Sequence, residues 1–280
     1  MSRAAAAPAV TLLACQIDIP FITTAAERDA HIGRVAETID RALTTGGSVD
    51  LVVLPELSTL HYSRGCFDHL ADLAEPLDDS PSLDRLAAVA KKHKTPVLAG
   101  LARRGNGAAV HISQVLIEAD GIWRQCYDKL HIAQFGDSME KDYFTPGEHL
   151  MVFDIRGFRF GTIICYDMRF PEMARALTRD HHIDVLLHPT AFTRDETFHT
   201  WHSFAATRAV ENQVYFASVN RAGADFGESV LMTPWVDETA PPQVLGVNET
   251  LARWVLTRDA ISHARAHYPF LRDVRADYTV

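Results

Sequence analysis

Three residues that can do chemistry stand where apolar, strand-like runs give out: Glu56 closes VDLVVLPE (49–56), Lys129 closes GIWRQCYDK (121–129) and Cys165 closes FRFGTIIC (158–165). A free thiol, with a pKa near about 8.5, is mostly protonated at neutral pH and becomes a nucleophile only beside a base or a positive charge. Glu56 can take the thiol proton. Lys129 can hold charge near the thiolate and then stabilise the oxyanion formed as sulfur attacks a carbonyl. A turn after Cys165 into MRFPE presents the backbone N–H of Tyr166 to the same oxygen. A lone cysteine after an apolar strand is also a common inert core residue, and Cys15, Cys66 and Cys126 fit that description. The charged Tyr-Asp-x-Arg after Cys165 suits a purely apolar site poorly, so at that position core residue and nucleophile both stay open.

Elements able to position such a trio recur along the chain. Strand-like runs at 10–17, 49–56, 95–102, 111–118, 121–129, 158–165, 183–190 and 214–222 alternate with helical segments at 24–45, 81–94 and 199–213, the pattern of an α/β protein. Asp120-Gly121 between the fourth and fifth runs predicts an antiparallel hairpin, so the sheet is expected to be mixed. Ligands of open α/β sheets bind beyond the carboxyl ends of strands, where all three residues fall. No linker or solenoid repeat divides the chain, which predicts one domain over 1–280. The loop 236–244 (VDETAPPQV) reads as surface, and no clear period runs through the tail to Val280.

Composition narrows the function. At 280 residues and 47% hydrophobic the chain can bury a large core, and a formal charge of -9 argues against a nucleic-acid partner. The four cysteines are widely spaced, with neither a CxxC pair nor a disulfide ladder, and the 14 histidines show no metal-binding spacing. A cytoplasmic protein without metal or cofactor is expected. Arg3, the Ala-rich run and LLAC (12–15) imitate a secretory signal, but Pro8 interrupts the run and VTLLACQID also reads as a first strand. No apolar stretch approaches the roughly 20 residues of a membrane span.

LPE (54–56), YDKLHI (127–132) and ICYDMRFPE (164–172) resemble, in order, the three signature blocks of the nitrilase superfamily of carbon–nitrogen hydrolases. ACQ (14–16), EKDYFTPG (140–147) and RAVENQVYFASVNRAG (208–223) extend the resemblance over nearly the whole chain. It implies a four-layer αββα sandwich with Glu56 as general base, Lys129 as oxyanion stabiliser, Cys165 as nucleophile and Glu140 as a second glutamate orienting Lys129 and the substrate amide. Cys-Tyr-Asp resembles the amidase-like branches, where nitrilases carry Trp-Glu. The expectation is therefore an amidohydrolase that cleaves a small-molecule C–N bond through an acyl-enzyme thioester. An N-carbamoyl (ureido) amidohydrolase and a catalytically silent subunit of the same fold are the alternatives. The family's shared interface implies at least a homodimer, with the segment from about 250 to 280, including HYPFLRDVRADY (267–278), adding contacts. The chain departs from the family where Val236 and Asp237 follow GESVLMTPW (227–235) in place of the usual glycine. The loops after the strand ends offer Tyr62, Tyr143 and Phe192 as substrate contacts, and Arg194 as a clamp for a substrate carboxylate.

Overall fold

The computed structural model describes residues 8–136 and 138–275. The first sheet comprises β1 (Ala9–Gln16), β2 (Leu51–Val53), β3 (Val97–Arg104), β4 (Val110–Ile117), β5 (Trp123–Asp128) and β12 (Thr250–Thr257), in the order β12-β1-β2-β3-β4-β5. The second comprises β6 (Met151–Ile155), β7 (Phe158–Thr162), β8 (Val185–Pro189), β9 (Tyr215–Val219), β10 (Val230–Met232) and β11 (Gln243–Val244), in the order β6-β7-β8-β9-β10-β11. From β12 to β5, and again from β6 to β11, successive pairings run antiparallel, parallel, parallel, antiparallel, antiparallel. The two sheets thus repeat one order of pairing directions that no sequence period betrays.

Strand alternation builds the layers. Leu13, Cys15, Val52, Ala99 and Val115 point from the first sheet to Ile32, Val35 and Ile39 of α1 (Ala25–Thr45) and Leu83 and Leu86 of a further helix, Pro81–His93. The intervening Leu12, Ala14, Val53, Leu98 and Leu116 join the core that includes Phe158, Phe160, Val185 and Phe216 of the second sheet. Two short helices, α2 (Arg64–Phe67) and α3 (Leu70–Leu73), precede that helix, which is therefore α4. On the second sheet pack α5 (Pro171–Arg179) and α6 (Phe198–Asn212), completing the αββα sandwich; α7 (Arg258–His267) and α8 (Phe270–Asp273) follow. Helix α1 starts where a capping box forms: Thr24 Oγ1 accepts from the N–H of Glu27, and the Glu27 carboxylate accepts from the N–H of Thr24.

The eight sequence-predicted strands form β1–β5 and β7–β9, and the three predicted helices form α1, α4 and α6. The tail differs from expectation. Thr250–Thr257 pairs with β1 along its whole length and completes the first sheet; as an edge strand it buries Trp254 and Leu256 but exposes Arg253 and Val255, which leaves only a fragment of alternation to read. Residues 1–7, where the signal-like Ala run lies, and 276–280 are outside the described residues, whereas LLAC belongs to β1. All four cysteines are free, and no described helix is long and apolar enough to cross a membrane.

Candidate active site

Strands β2 and β7 stop three residues short of Glu56 and Cys165, and β5 stops one short of Lys129, so each residue sits just past the carboxyl end of a strand. Gly100 on β3 lets the Glu56 loop close down: a Cβ there would come within 2.1 Å of the Pro55 carbonyl oxygen. Leu57 adopts a left-handed backbone (φ 48°), and its carbonyl accepts from buried Arg221 Nη2 at 2.8 Å.

Lys129 Nζ lies 2.8 Å from Glu56 Oε1 and 2.6 Å from Glu140 Oε1, with all three side chains fully buried. Each carboxylate spends its second oxygen on a backbone donor, Glu56 on Ala191 N–H and Glu140 on Ala133 N–H, both at 2.8 Å. Tyr62 donates its hydroxyl to Glu140 Oε1 at 2.8 Å, and Ser138 Oγ lies 2.9 Å from the same hydroxyl. Burial alone pushes the Lys129 ammonium down, but Glu140 and Glu56 together outweigh it and hold Lys129 charged, well above its ordinary range. Glu140 is raised, by burial first and by the Glu56 charge, against the pull of Lys129.

Cys165 opens a 3-10 turn (Cys165–Arg169) leading to α5 and is itself left-handed, with φ 43°. The N–H of Tyr166, second in that turn, has no carbonyl partner three residues back within it. Burial and the Glu56 carboxylate push the Cys165 thiol up, Lys129 and the Thr190 hydroxyl opposing. Two carboxylates flank the Lys129 ammonium and offset its pull on the thiol proton.

Asp167 ties the Lys129 and Cys165 loops together. Fully buried, its carboxylate accepts from Tyr127 hydroxyl (2.6 Å), His131 N–H (2.9 Å) and Ile164 N–H (2.9 Å), with His131 Nδ1 at 2.8 Å. Tyr127 and His131 flank Lys129, and Ile164 precedes Cys165. The sequence displays these residues within its motifs, but which atoms they join emerges only when β5 and β7 meet in space.

Cys165 and Glu140 face a cleft also walled by Tyr62, Phe135, Tyr166, Arg169 and Phe192. Of the four candidate substrate contacts, Tyr62 and Phe192 line the cleft and two do not. Tyr143 turns outward and donates to Asp68 at 2.5 Å, while Arg194 is held by Glu228 at 2.6 Å and by the Phe226 carbonyl at 3.1 Å. The arginine facing the cleft is Arg169. Its guanidinium lies 5.1–5.6 Å from the ring centres of Phe135, Phe192 and Phe204, and its Nη2 has no hydrogen-bond partner among the described residues. It lies four residues after Cys165, inside the motif at 164–172, where its sequence neighbours give no sign that it faces the cleft. Among the described residues no group of three or more His, Cys, Asp or Glu is placed to hold a metal ion.

A thiol, a buried ammonium and two carboxylates gathered at the strand ends of an αββα sandwich are the makings of a cysteine hydrolase for carbonyl–nitrogen bonds. The chain belongs to the carbon–nitrogen hydrolase family, whose model matches residues 11–244. A Pseudomonas protegens protein named "Hydrolase in pqqF 5′ region" is 33% identical over 81% of this chain and 79% of its own. The 2-oxoglutaramate amidase of Bacillus subtilis is 28% identical over 89% of this chain and 95% of its own. The crystal structure of Nit3 from Saccharomyces cerevisiae, a nitrilase-superfamily member, superposes with a TM-score of 0.81 at 25% identity, covering 94% of this chain and 95% of that one. The protein is a carbon–nitrogen hydrolase acting on non-peptide amides.

Proposed function

We propose that this amidohydrolase acts on a small carboxamide whose far end carries a carboxylate, with Cys165 as nucleophile. Glu56 takes the Sγ proton as sulfur attacks the amide carbon. The carbonyl π electrons move to oxygen, where Lys129 Nζ and the N–H of Tyr166 receive the charge. Protonated Glu56 returns its proton to the nitrogen, the C–N bond breaks, and ammonia leaves behind a Cys165 thioester. Glu56 then deprotonates a water that attacks the thioester, releasing the acid and restoring the thiol. Glu140 holds Lys129 in place and turns it towards the oxyanion.

Arg169 carries the substrate assignment: a cation lining the cleft, ringed by aromatic faces, whose Nη1 reaches only Thr200 Oγ1 at 3.5 Å and whose Nη2 has no partner among the described residues. A substrate carboxylate supplies the missing acceptors, and the similarity to an amidase named for 2-oxoglutaramate, an anionic ω-amide, supports the same class. Succinamate and butyramide present the same amide with and without the charge. Arg169→Leu is expected to raise KM for succinamate by about 10- to 100-fold, the worth of a charge-assisted hydrogen bond, with kcat and butyramide turnover little changed. Equal changes on both amides would refute the assignment.

The homodimer is part of the same proposal. Trp235 stacks on Tyr268 at 3.5 Å, and 45%-exposed Phe270 closes an open groove with Val236, Ala206 and Val210 between the C-terminal segment and α6. Apolar surface of this kind suits a second copy of the chain. The further contacts expected from residues 276–278 lie outside the described residues. Light scattering at micromolar concentration is expected to give twice the chain mass, and a monomer there excludes the dimer.

A further inference from the structure

His188, which no part of the proposed chemistry uses, sits fully buried on β8 directly beneath the Cys165 turn. Its Nε2 lies 2.9 Å from the Cys165 carbonyl oxygen and its Nδ1 lies 2.7 Å from Ser218 Oγ. A carbonyl oxygen can only accept, so Nε2 carries the ring proton and Nδ1 accepts from the Ser218 hydroxyl. Ser218 Oγ accepts in turn from the indole N–H of Trp201 at 3.2 Å. Donation therefore runs one way, from Trp201 through Ser218 and His188 to the backbone of Cys165. Burial pushes the His188 imidazole down to about 4, so at neutral pH the ring is uncharged and the chain keeps this single sense.

The residue at the end of that chain is in the left-handed region, which a side-chain-bearing residue leaves unless its surroundings over-determine it. Rotation of the peptide after Cys165 moves two things at once: the direction of Sγ and the N–H of Tyr166. We infer that His188 is a positioning residue for the reaction, its Nε2–H fixing the Cys165 carbonyl so that thiol and oxyanion donor point into the cleft together. This rests on Cys165 being the nucleophile.

Two substitutions separate the role from packing. The amide nitrogen of Gln can reach where Nε2 stood and keep the donor to Cys165, whereas Asn reaches only as far as Nδ1 and contacts Ser218 alone. His188→Gln is expected to keep kcat for succinamate within about threefold of wild type. His188→Asn is expected to lose about 10²-fold in kcat, the cost of a misplacement of about 1 Å, with KM within threefold. The rate of Cys165 alkylation by iodoacetamide should fall in the same order, with the melting midpoints of the two variants alike. Similar kcat values for Gln and Asn, or losses that follow the melting midpoint, overturn the inference. The underlying assignment is read separately in the wild type: if iodoacetamide inactivation maps to a peptide lacking Cys165, it is the nucleophile that has been misassigned.

Discussion

Lys129→Met is expected to abolish useful catalysis and weaken the fold at the same time. Methionine fills much of the volume of lysine without its charge, so Glu56 and Glu140, each fully buried and each using one oxygen on Nζ in the native site, are left facing one another uncompensated. Removing one partner of a buried charge cluster costs about 3–5 kcal/mol, a drop of the order of 10 °C in melting midpoint for a chain of this size. Loss of an oxyanion donor alone costs about 10²–10³ in kcat. The pH dependence has a definite sign. Burial and the Glu56 charge already raise Glu140 in the native protein, and without the opposing pull of Lys129 it rises further, so the folded form holds a proton that the unfolded chain releases near pH 4. A group raised on folding contributes its stability below its unfolded pKa and loses it as pH climbs through the folded one. The melting deficit relative to wild type should therefore be smallest near pH 5 and widen towards pH 8. A deficit that narrows over that range, or kcat within tenfold of wild type, contradicts the role given to Lys129.

Much of this site could be read from the chain because reactive residues were set against apolar runs: Glu56, Lys129 and Cys165 interrupt a strong hydrophobic signal, and strands broken by polarity announce where a sheet ends. Glu140 had no such signal. It lies in a one-turn 3-10 segment among other charges, and only the family resemblance singled it out. The residues that tie the loops around the site together were hidden for a different reason. Asp167 reaches the backbone of His131, His188 that of Cys165 and Arg221 that of Leu57, each 23 or more residues away in the chain, through contacts that exist only once two loops or two sheets have met. The first sheet's edge was hidden as well, since β12 returns from the far end of the chain to pair with β1 and buries only one side of itself. Arg194 stands out in the sequence because its loop, 191–201, follows the strand-like run 183–190 and could overhang the site. Only the structure shows that Glu228 already satisfies it and that Arg169 faces the cleft.

Cys165→Ala is expected to fold, since removing one sulfur costs about 1 kcal/mol of packing against a total stability of roughly 5–15 kcal/mol, while turnover falls below about a hundredth of wild type. The covalent intermediate tests the account most directly. Cleavage after Arg159 and Arg169 isolates residues 160–169, FGTIICYDMR, in which Cys165 is the sole cysteine. Wild-type enzyme quenched with acid during turnover of succinamate should carry the acyl mass on this peptide, lose it to hydroxylamine as the hydroxamate, and show none of it in Cys165→Ala. An acyl mass on any other peptide, or a Cys165→Ala enzyme retaining more than a hundredth of the wild-type rate, would contradict a Cys165 thioester mechanism.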